Sequence, residues 1–289
     1  MHPAGRGRIH SLSLMLPKIS CSDIEADRVL IDSYLDRMLR AQGSGTVVDA
    51  MRYAVLNGGQ RLRPLLTLRV ARMLGEERVG TMRVGAAVEL VHCASLIIDD
   101  LPCMDNSPVR RGQPSTHVAF GEPVAILAGF ALVALAARVV MEGDLDGSET
   151  LRLLRFQKRL LRTLDCSSLI AGQALDLQLT GEARLQELPA ISELKTVPLF
   201  QLAFLAGSVF ADMAAGTEAA LEALGREFGM AYQMADDYLD GEDTDRGRLD
   251  TQFERTRVQM GSTPGKTELL EDVLEYIHGK TLEASCSHR

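Results

Sequence analysis

Apolar residues recur at spacings of three and four along most of this chain, and that period limits what it can fold into more than any single motif does. In residues 82–98, Val84, Val88, Val91 and Ser95 fall on one helical face. In residues 24–39, Ile24, Val29, Leu30, Tyr34, Leu35 and Leu39 follow nearly the same period. Residues 151–177 are leucine-rich, and residues 194–213 and 217–239 make two more helical stretches divided by the breaker Gly216. No segment alternates strictly between apolar and polar over six residues, and the one Asn-Gly pair, Asn57-Gly58, lies between helical patterns. The pattern predicts an all-α domain of roughly ten helices, without an internal repeat.

At 289 residues the chain is near the upper limit for a single hydrophobic core. Its formal net charge of −8 argues against a nucleic-acid binder, which needs clustered Lys and Arg. The five cysteines are odd in number, scattered and without a CxxC pair, so neither a disulfide framework nor a structural zinc site is expected. The longest apolar run, residues 123–137, is fifteen residues and ends at Arg138. A membrane span needs about 18, so the run reads as a buried core helix and no transmembrane segment is expected. Residues 1–22 read as a flexible terminus or the stub of a transit peptide, since Arg6, Arg8 and Lys18 precede the first acid. Residues 23–240 form the main domain. Beyond Gly241 the sequence "GEDTDRGRLDTQFERTRVQMGSTPGKT" is polar and poorly periodic, and residues 241–289 read as a divergent, truncated segment whose start is a loop or frayed tail.

The stretch "SLIIDDLPCMDNSPVRRG" joins an apolar helix to Asp99, Asp100 and Asp105, with Arg110 and Arg111 following. Pro102 interrupts the helix and lets Asp99 and Asp105 turn toward one space. A second group lies in "YQMADDYLD": Asp236 and Asp240 are four apart and share a helical face, with Asp237 between them and Gln233 one turn earlier. Like charges at that spacing cost a helix about 0.2–0.5 kcal/mol, which a cation offsets. Hard oxygen donors with open water positions suit Mg²⁺ bridged to diphosphate oxygens. A solvated acidic patch is the other reading of the second group. Basic residues complete the pattern: Arg61 and Arg63 in "GGQRLRP", Arg110 and Arg111, and Lys195 with Thr196 in "LKTVPL". Arginine suits bidentate recognition of phosphate, although a surface Arg pair is ordinarily just solvated.

Taken together, "MRYAVLNGGQRLRP", "VELVHCASLIIDDLPCMDNSPVRRGQPSTHVAFGEPVAILAG", "LIAGQALDLQ", "LKT" and "YQMADDYLD" resemble, in order, the motifs of the trans-isoprenyl diphosphate synthases, the polyprenyl synthetase family. The Pro-Cys spacer of the first aspartate motif is similar to the plant and bacterial geranylgeranyl diphosphate synthase type. The resemblance implies an isoprenoid synthase helical bundle around a deep apolar cavity, usually dimeric. It implies a Mg²⁺ cluster on Asp99, Asp100, Asp105, Asp236, Asp237 and Asp240, holding an allylic diphosphate. Arg110 would help neutralise the leaving group, and Lys195, Thr196 and Gln233 would face the allylic cation. Gln60, Arg63, His92 and Arg111 would lie at the isopentenyl diphosphate site. His92 is also open to reading as a core histidine. Gln173 and Asp176 would brace the site. Ala94 and Ser95, small residues just before Asp99, would line the cavity below and leave room for products up to about C20.

Departures from the family pattern bear on activity. Gln60 stands where the family has lysine, Ile98 where it has histidine, and Phe130 where it has an aspartate that gives polar support near the site. Nothing after Asp240 matches the family's lysine-bearing stretch, for which Lys266 is a candidate substitute. The leading expectation is a short-chain prenyltransferase condensing isopentenyl diphosphate with an allylic diphosphate, as a homodimer or a heterodimer with a homologous synthase, in plastid or cytoplasm. The alternatives are a weakly active or inactive regulatory small subunit, and a truncated product without a stable fold. A terpene cyclase is the runner-up in fold.

Overall fold

Helices form where the three-and-four spacing places them. The computed structural model describes residues 24–76, 78–143 and 147–287; the reading of residues 1–22 lies outside them. In chain order the helices are α1 (Ile24–Arg40), α2 (Thr46–Leu56), α3 (Leu62–Met73), α4 (Val79–Asp99), α5 (Thr116–Phe120), α6 (Glu122–Val140), α7 (Gly147–Thr163), α8 (Leu169–Gln178), α9 (Gly181–Lys195), α10 (Val197–Ser208), α11 (Thr217–Asp240), α12 (Arg246–Ser262) and α13 (Glu268–Ser287). One hairpin, β1 (Val109–Arg110) against β2 (Gln113–Pro114), pairs Val109 with Pro114 and Arg110 with Gln113. The sequence offered no alternation for it. Its turn is made by Arg111 at φ +54 followed by Gly112.

α4 is the central element, packed by α3, α6 and α10. It is apolar nearly all round, as a helix enclosed on every side must be. By length and composition α4 and α6 would each suffice to cross a bilayer. In this fold α4 is mostly buried, and α6 lies along it with Ala125, Ala128, Leu132, Leu135 and Ala136 inward. The expectation of a fully buried α6 is corrected: Ile126, Leu127 and Phe130 are exposed, Phe130 at 69%. The leucine-rich stretch 151–177 is two helices. Asp165 Oδ1 accepts the Ser167 N–H at 2.8 Å and its hydroxyl at 2.6 Å, a local alternative to the helical ladder.

The tail also corrects the sequence reading. Residues 246–262 and 268–287 are helical, not a loop or frayed end. α12 has little periodicity because only Leu249, Gln252, Phe253, Thr256 and Met260 face inward, two of them polar at the hydroxyl or amide. Its start is capped: Asp245 accepts the Arg248 N–H at 3.1 Å. α13 is held by buried charge. Asp27 of α1, fully buried, lies 2.9 Å from Arg69 Nε and 2.8 Å from Arg72 Nη1, both on α3. Arg69 Nη1 is in turn 3.3 Å from Asp272 of α13.

Removing one partner from such a buried cluster leaves a desolvated charge, a loss of about 3–5 kcal/mol. Asp27→Ala is therefore expected to lower the unfolding free energy in urea by that order. A loss below about 1 kcal/mol, typical of exposed pairs, would show that the cluster does not anchor α1, α3 and α13.

Candidate functional site

Helix ends normally carry bases at their C-termini, where the aligned peptide dipoles leave partial negative charge. α4 and α11 have no base in the last turn. α4 ends at Asp99, and α11 carries Asp236, Asp237 and Asp240 near its end. Both ends open on one cavity of about 700 Å³. Asp99, Asp105, Asp236, Asp237 and Asp240 all line it.

The chain leaving α4 reverses tightly after Pro102. The Asp105 N–H donates to the Asp99 carbonyl at 2.9 Å, and the Asn106 N–H to Leu101 at 3.1 Å. That turn puts Asp105 beside Asp99. Asp100, expected among the metal ligands, is elsewhere. It does not line the cavity, and its carboxylate is paired with Arg110, at 3.0 Å from Nε and 2.5 Å from Nη2. Neighbouring residues on a helix differ by about 100°, so Asp99 and Asp100 do not face the same space.

The cations divide by what they already hold. Arg61, in the left-handed region at φ +53, is spent inside: Asp32 at 2.5 Å, Glu89 at 3.1 Å and the Val55 carbonyl at 2.6 Å. Arg63 is buried, stacks 4.9 Å over the Phe200 ring, and has an Nε without a hydrogen-bond partner among the described residues. Arg111 donates to the Gly58 carbonyl at 2.9 Å. Its guanidinium lies against Gly59, where an added Cβ would come within 2.6 Å of Cζ, and Gly59 holds a φ of +109 that favours glycine. Gln60 and His92 line the cavity beside these arginines. Burial, then Arg63, Arg111, Arg61 and Arg110, hold the His92 imidazole well below its usual pKa and so neutral.

On the opposite wall α9 ends at Lys195. Lys195 Nζ is 3.0 Å from Asp176 and 3.7 Å from Asp99. α8 approaches closely enough that a Cβ on Gly172 would lie 2.7 Å from the Lys195 backbone nitrogen. The Thr196 hydroxyl donates to Gln233 Oε1 at 2.6 Å, and Gln233 Nε2 donates to Asp237 at 2.7 Å. Asp176 braces this wall as expected. Burial pushes its carboxyl up, but the hydrogen bonds from Lys195 and Arg184 outweigh burial and hold it below the usual range. Gln173 is buried outside the cavity lining, with neither amide atom paired among the described residues. It makes no bracing bond.

Other expectations are corrected. The cavity is lined chiefly by charged and polar side chains, with Leu62, Leu96, Leu188, Ile191 and Tyr232 as the larger apolar patches. Ala94 and Ser95 do not line it; Ala94 is buried and lies in the seam with Gly129 of α6. Ala94, five before Asp99, is rotated about 140° from it, whereas Leu96 at three and His92 at seven stay on its face. Ile98 packs into the same seam, 3.3 Å from where a Gly129 Cβ would be. Phe130 points outward and replaces no support at the site. Lys266 is exposed at the far end of α3, its N–H on the Met73 carbonyl at 3.3 Å. Sequence reading missed Arg184, Tyr232 and Glu242, which also line the cavity. Glu242 follows the second aspartates directly, but nothing local to Arg184 signals its place.

Burial raises the Asp99 carboxyl to about 6, against the pull of Lys195 and with help from Asp105. Burial likewise raises Asp237 to about 6, opposed by the Gln233 hydrogen bond and aided by Glu242 and Asp236. Asp236 is raised by burial and by Asp240. Among the described residues no three acid, His or Cys side chains converge tightly enough to cage one ion alone. The donor set instead suits a hard cation held by one or two carboxylates per side and completed by water or ligand oxygens, the habit of Mg²⁺.

Residues 45–247 match the sequence model of the polyprenyl synthetase family. The chain is 41% identical over 227 residues to "Geranylgeranyl pyrophosphate synthase 4" of Arabidopsis thaliana, across 76% of this chain and 56% of that protein. It is 33% identical over 264 residues to "Heterodimeric geranylgeranyl pyrophosphate synthase large subunit 1, chloroplastic" of the same plant, across 89% of this chain and 67% of that one. The crystal structure of an FPP/GFPP synthase from Zymomonas mobilis is similar with a TM-score of 0.81 and 29% identity, across 89% of this chain and 99% of that one. The chain spans less than two thirds of the length of the first of these plant relatives.

Two outcomes follow from the geometry. Asp99 and Asp237 keep protons to about pH 6 when folded but release them near 3.8 when unfolded. Between those values the folded chain binds more protons, so their contribution to stability falls as pH rises. Asp99→Asn and Asp237→Asn are expected to flatten that fall in urea titrations of the ligand-free protein. An unchanged slope in both would show that the carboxyls titrate as exposed groups do. Ala94→Phe is expected to overpack the α4–α6 seam and lower stability by about 1–3 kcal/mol; a variant of undiminished stability would put Ala94 back at an open cavity wall.

Proposed function

Because the chain belongs to the polyprenyl synthetase family, we propose that it is a short-chain prenyltransferase joining isopentenyl diphosphate to an allylic diphosphate. One observation carries the reading: two acidic helix ends line a single cavity whose other charged side chains are mostly basic. Asp99 and Asp105 on one side, with Asp236, Asp237 and Asp240 on the other, would hold Mg²⁺. Bound there, the metal supplies charge neutralisation for a diphosphate leaving group.

The chain's own residues bind and orient around it. Arg110, fixed by Asp100 at its back, presents its remaining donors to the cavity. Lys195 and the Thr196–Gln233–Asp237 chain line the wall where positive charge develops on the allylic carbon. Arg63 and Arg111, with neutral His92 between the helices, form the second anion pocket, beside Gln60. The Arg63 guanidinium is the clearest case. It is 7% exposed, without a carboxylate partner among the described residues, and a diphosphate would satisfy it. Leu96, on the Asp99 face, would meet the growing apolar chain.

A second reading has its own support. Gln60 in place of lysine weakens the isopentenyl diphosphate pocket, and α6 exposes Ile126, Leu127 and Phe130 in a stripe that a second subunit would cover. Such a chain would serve as one half of a dimer, with a copy of itself or with a homologous synthase, and the chloroplastic relative makes the plastid the first compartment to examine. Purified protein, alone and mixed with a homologous synthase, incubated with Mg²⁺, radiolabelled isopentenyl diphosphate and each allylic primer separates the readings. Product from the chain alone supports the enzyme. A changed product ratio only in the mixture supports the subunit, and neither result would sink both.

Gln60 offers a dipole where a lysine would offer a full charge, and a hydrogen bond to a charged group is worth roughly 1.5–3 kcal/mol. Gln60→Lys is therefore expected to lower the isopentenyl diphosphate KM about tenfold to a hundredfold and leave the allylic KM nearly unchanged. Equal shifts in both would place Gln60 outside the isopentenyl diphosphate pocket.

A further inference from the structure

The cavity's cations are unevenly placed. Arg63, Arg110 and Arg111 stand on the α3 and hairpin side, and Lys195 stands at the end of α9. Among the described residues, the one cation lining the wall with Asp237, Asp240 and Glu242 is Arg184, from the first turn of α9. The segment after Asp240 does contain bases, but among the described residues none lines the cavity, and Lys280 acts on Asp236 only through its charge. Arg246 Nε is 2.9 Å from Asp250, and its Nη1 donates to Thr281 at 3.1 Å. Arg248 is 3.0 Å from Asp243. Lys280 lies 4.6 Å over the Tyr276 ring, and Lys266 is at the far end of α3.

Arg184 is held differently at its two ends. Nε donates to the half-buried Asp176 at 2.7 Å, a short charge-assisted bond. Nη1 reaches Glu242 only at 3.3 and 3.4 Å, and that carboxylate is 39% exposed. An exposed ion pair of that length contributes little. Nη2 has no hydrogen-bond partner among the described residues. The inner anchor is therefore firm and the outer one loose.

We propose that Arg184 is the diphosphate-binding cation of the second acidic wall, parked on Glu242 until a diphosphate draws it into the cavity. This rests on the prenyltransferase reading above. Nε stays on Asp176, which also holds Lys195 at 3.0 Å, so one carboxylate aims two cations at the same ligand. Nη1 and Nη2 then form the planar fork that suits two phosphate oxygens. Glu242 is a competitor for the fork, and it sets how readily the cation is released.

The test is calorimetric binding of inorganic pyrophosphate to the full chain in the presence of Mg²⁺. Arg184→Met is expected to weaken binding about tenfold or more, the value of a charge-assisted hydrogen bond. Arg184→Lys, which keeps the charge and loses the fork, is expected to fall between. Glu242→Gln is expected to tighten binding severalfold, and to have no effect when Arg184 is already Met, because the two then act through one contact. Equal tightening by Glu242→Gln in both backgrounds would overturn the proposal, since it would show a general relief of negative charge. Unchanged affinity in Arg184→Met would overturn it as well, with the wild-type binding and the prenyltransferase reading intact. Absence of pyrophosphate binding by the wild-type chain would instead remove that reading, and this one with it. Should Arg184→Met fail to fold, the Arg184→Lys and Glu242→Gln comparison decides: tightening by Glu242→Gln that is undiminished in Arg184→Lys would overturn the proposal.

Discussion

The five aspartates of the two acidic groups repel one another, and the rest of the structure is arranged to hold them at one cavity. Asp99, Asp105, Asp236, Asp237 and Asp240 share the space, and two helix C-termini add partial negative charge of their own. No local preference favours that arrangement. It is imposed by packing: α4 and α11 are both fixed against α10, where the Phe204 and Phe228 rings pack at a tilt with centroids 5.2 Å apart. Burial first, and the neighbouring carboxylates after it, raise Asp99 and Asp237 to about 6. A divalent cation held there would relieve that repulsion.

Burial decides which cations answer those acids. Arg61 and Arg69 are buried and spent on carboxylates and carbonyls that the fold needs, joining α3 to α1, α4 and α13. Arg110 spends one edge on Asp100 and keeps another for the cavity. Arg63 has an aromatic ring beneath it and no carboxylate beside it among the described residues. The same residue type thus serves as core, as link between core and cavity, or as a cavity-lining cation without a carboxylate partner among the described residues. The difference lies in which partners lie within about 3 Å, not in the sequence motif that carries the residue.

This explains what could be read from the chain and what could not. The helices were legible because the three-and-four period of α1, α4 and α11 is the imprint of a one-sided or enclosed environment. The two acidic groups, Lys195, Thr196 and Gln233 were legible because each sits within one turn of a neighbour in the same motif. The side-chain directions at helix ends were not. Asp100 differs from Asp99 by one residue and is taken by Arg110, and Ala94 turns into the α6 seam while Leu96 faces the cavity. Arg184 was beyond reach for another reason, since its partners Asp176 and Glu242 come from the preceding helix and from the turn after α11. α12 escaped notice because Gln252 and Thr256 replace apolar residues on its inner face, bonding to Glu227 at 2.8 and 3.3 Å.

The C-terminal helices matter to the site although their sequence carries none of the expected motif. Arg28 of α1 donates to the Gln60 carbonyl at 3.0 Å and to the Tyr276 hydroxyl of α13 at 3.1 Å. One side chain therefore ties the last helix to the loop that presents Gln60, Arg61 and Arg63. That loop has little stiffness of its own, because Gly58 and Gly59 precede it, both at positive φ. Its position is set from outside: by Arg28 on one side, by Arg111 on the Gly58 carbonyl on the other, and by the buried Arg61 beneath. The Asp27–Arg69–Asp272 cluster fixes the same α1–α3–α13 corner one layer deeper. The position of the loop carrying Gln60, Arg61 and Arg63 is therefore set by long-range ties to α1, α13 and the hairpin rather than by the loop's own sequence.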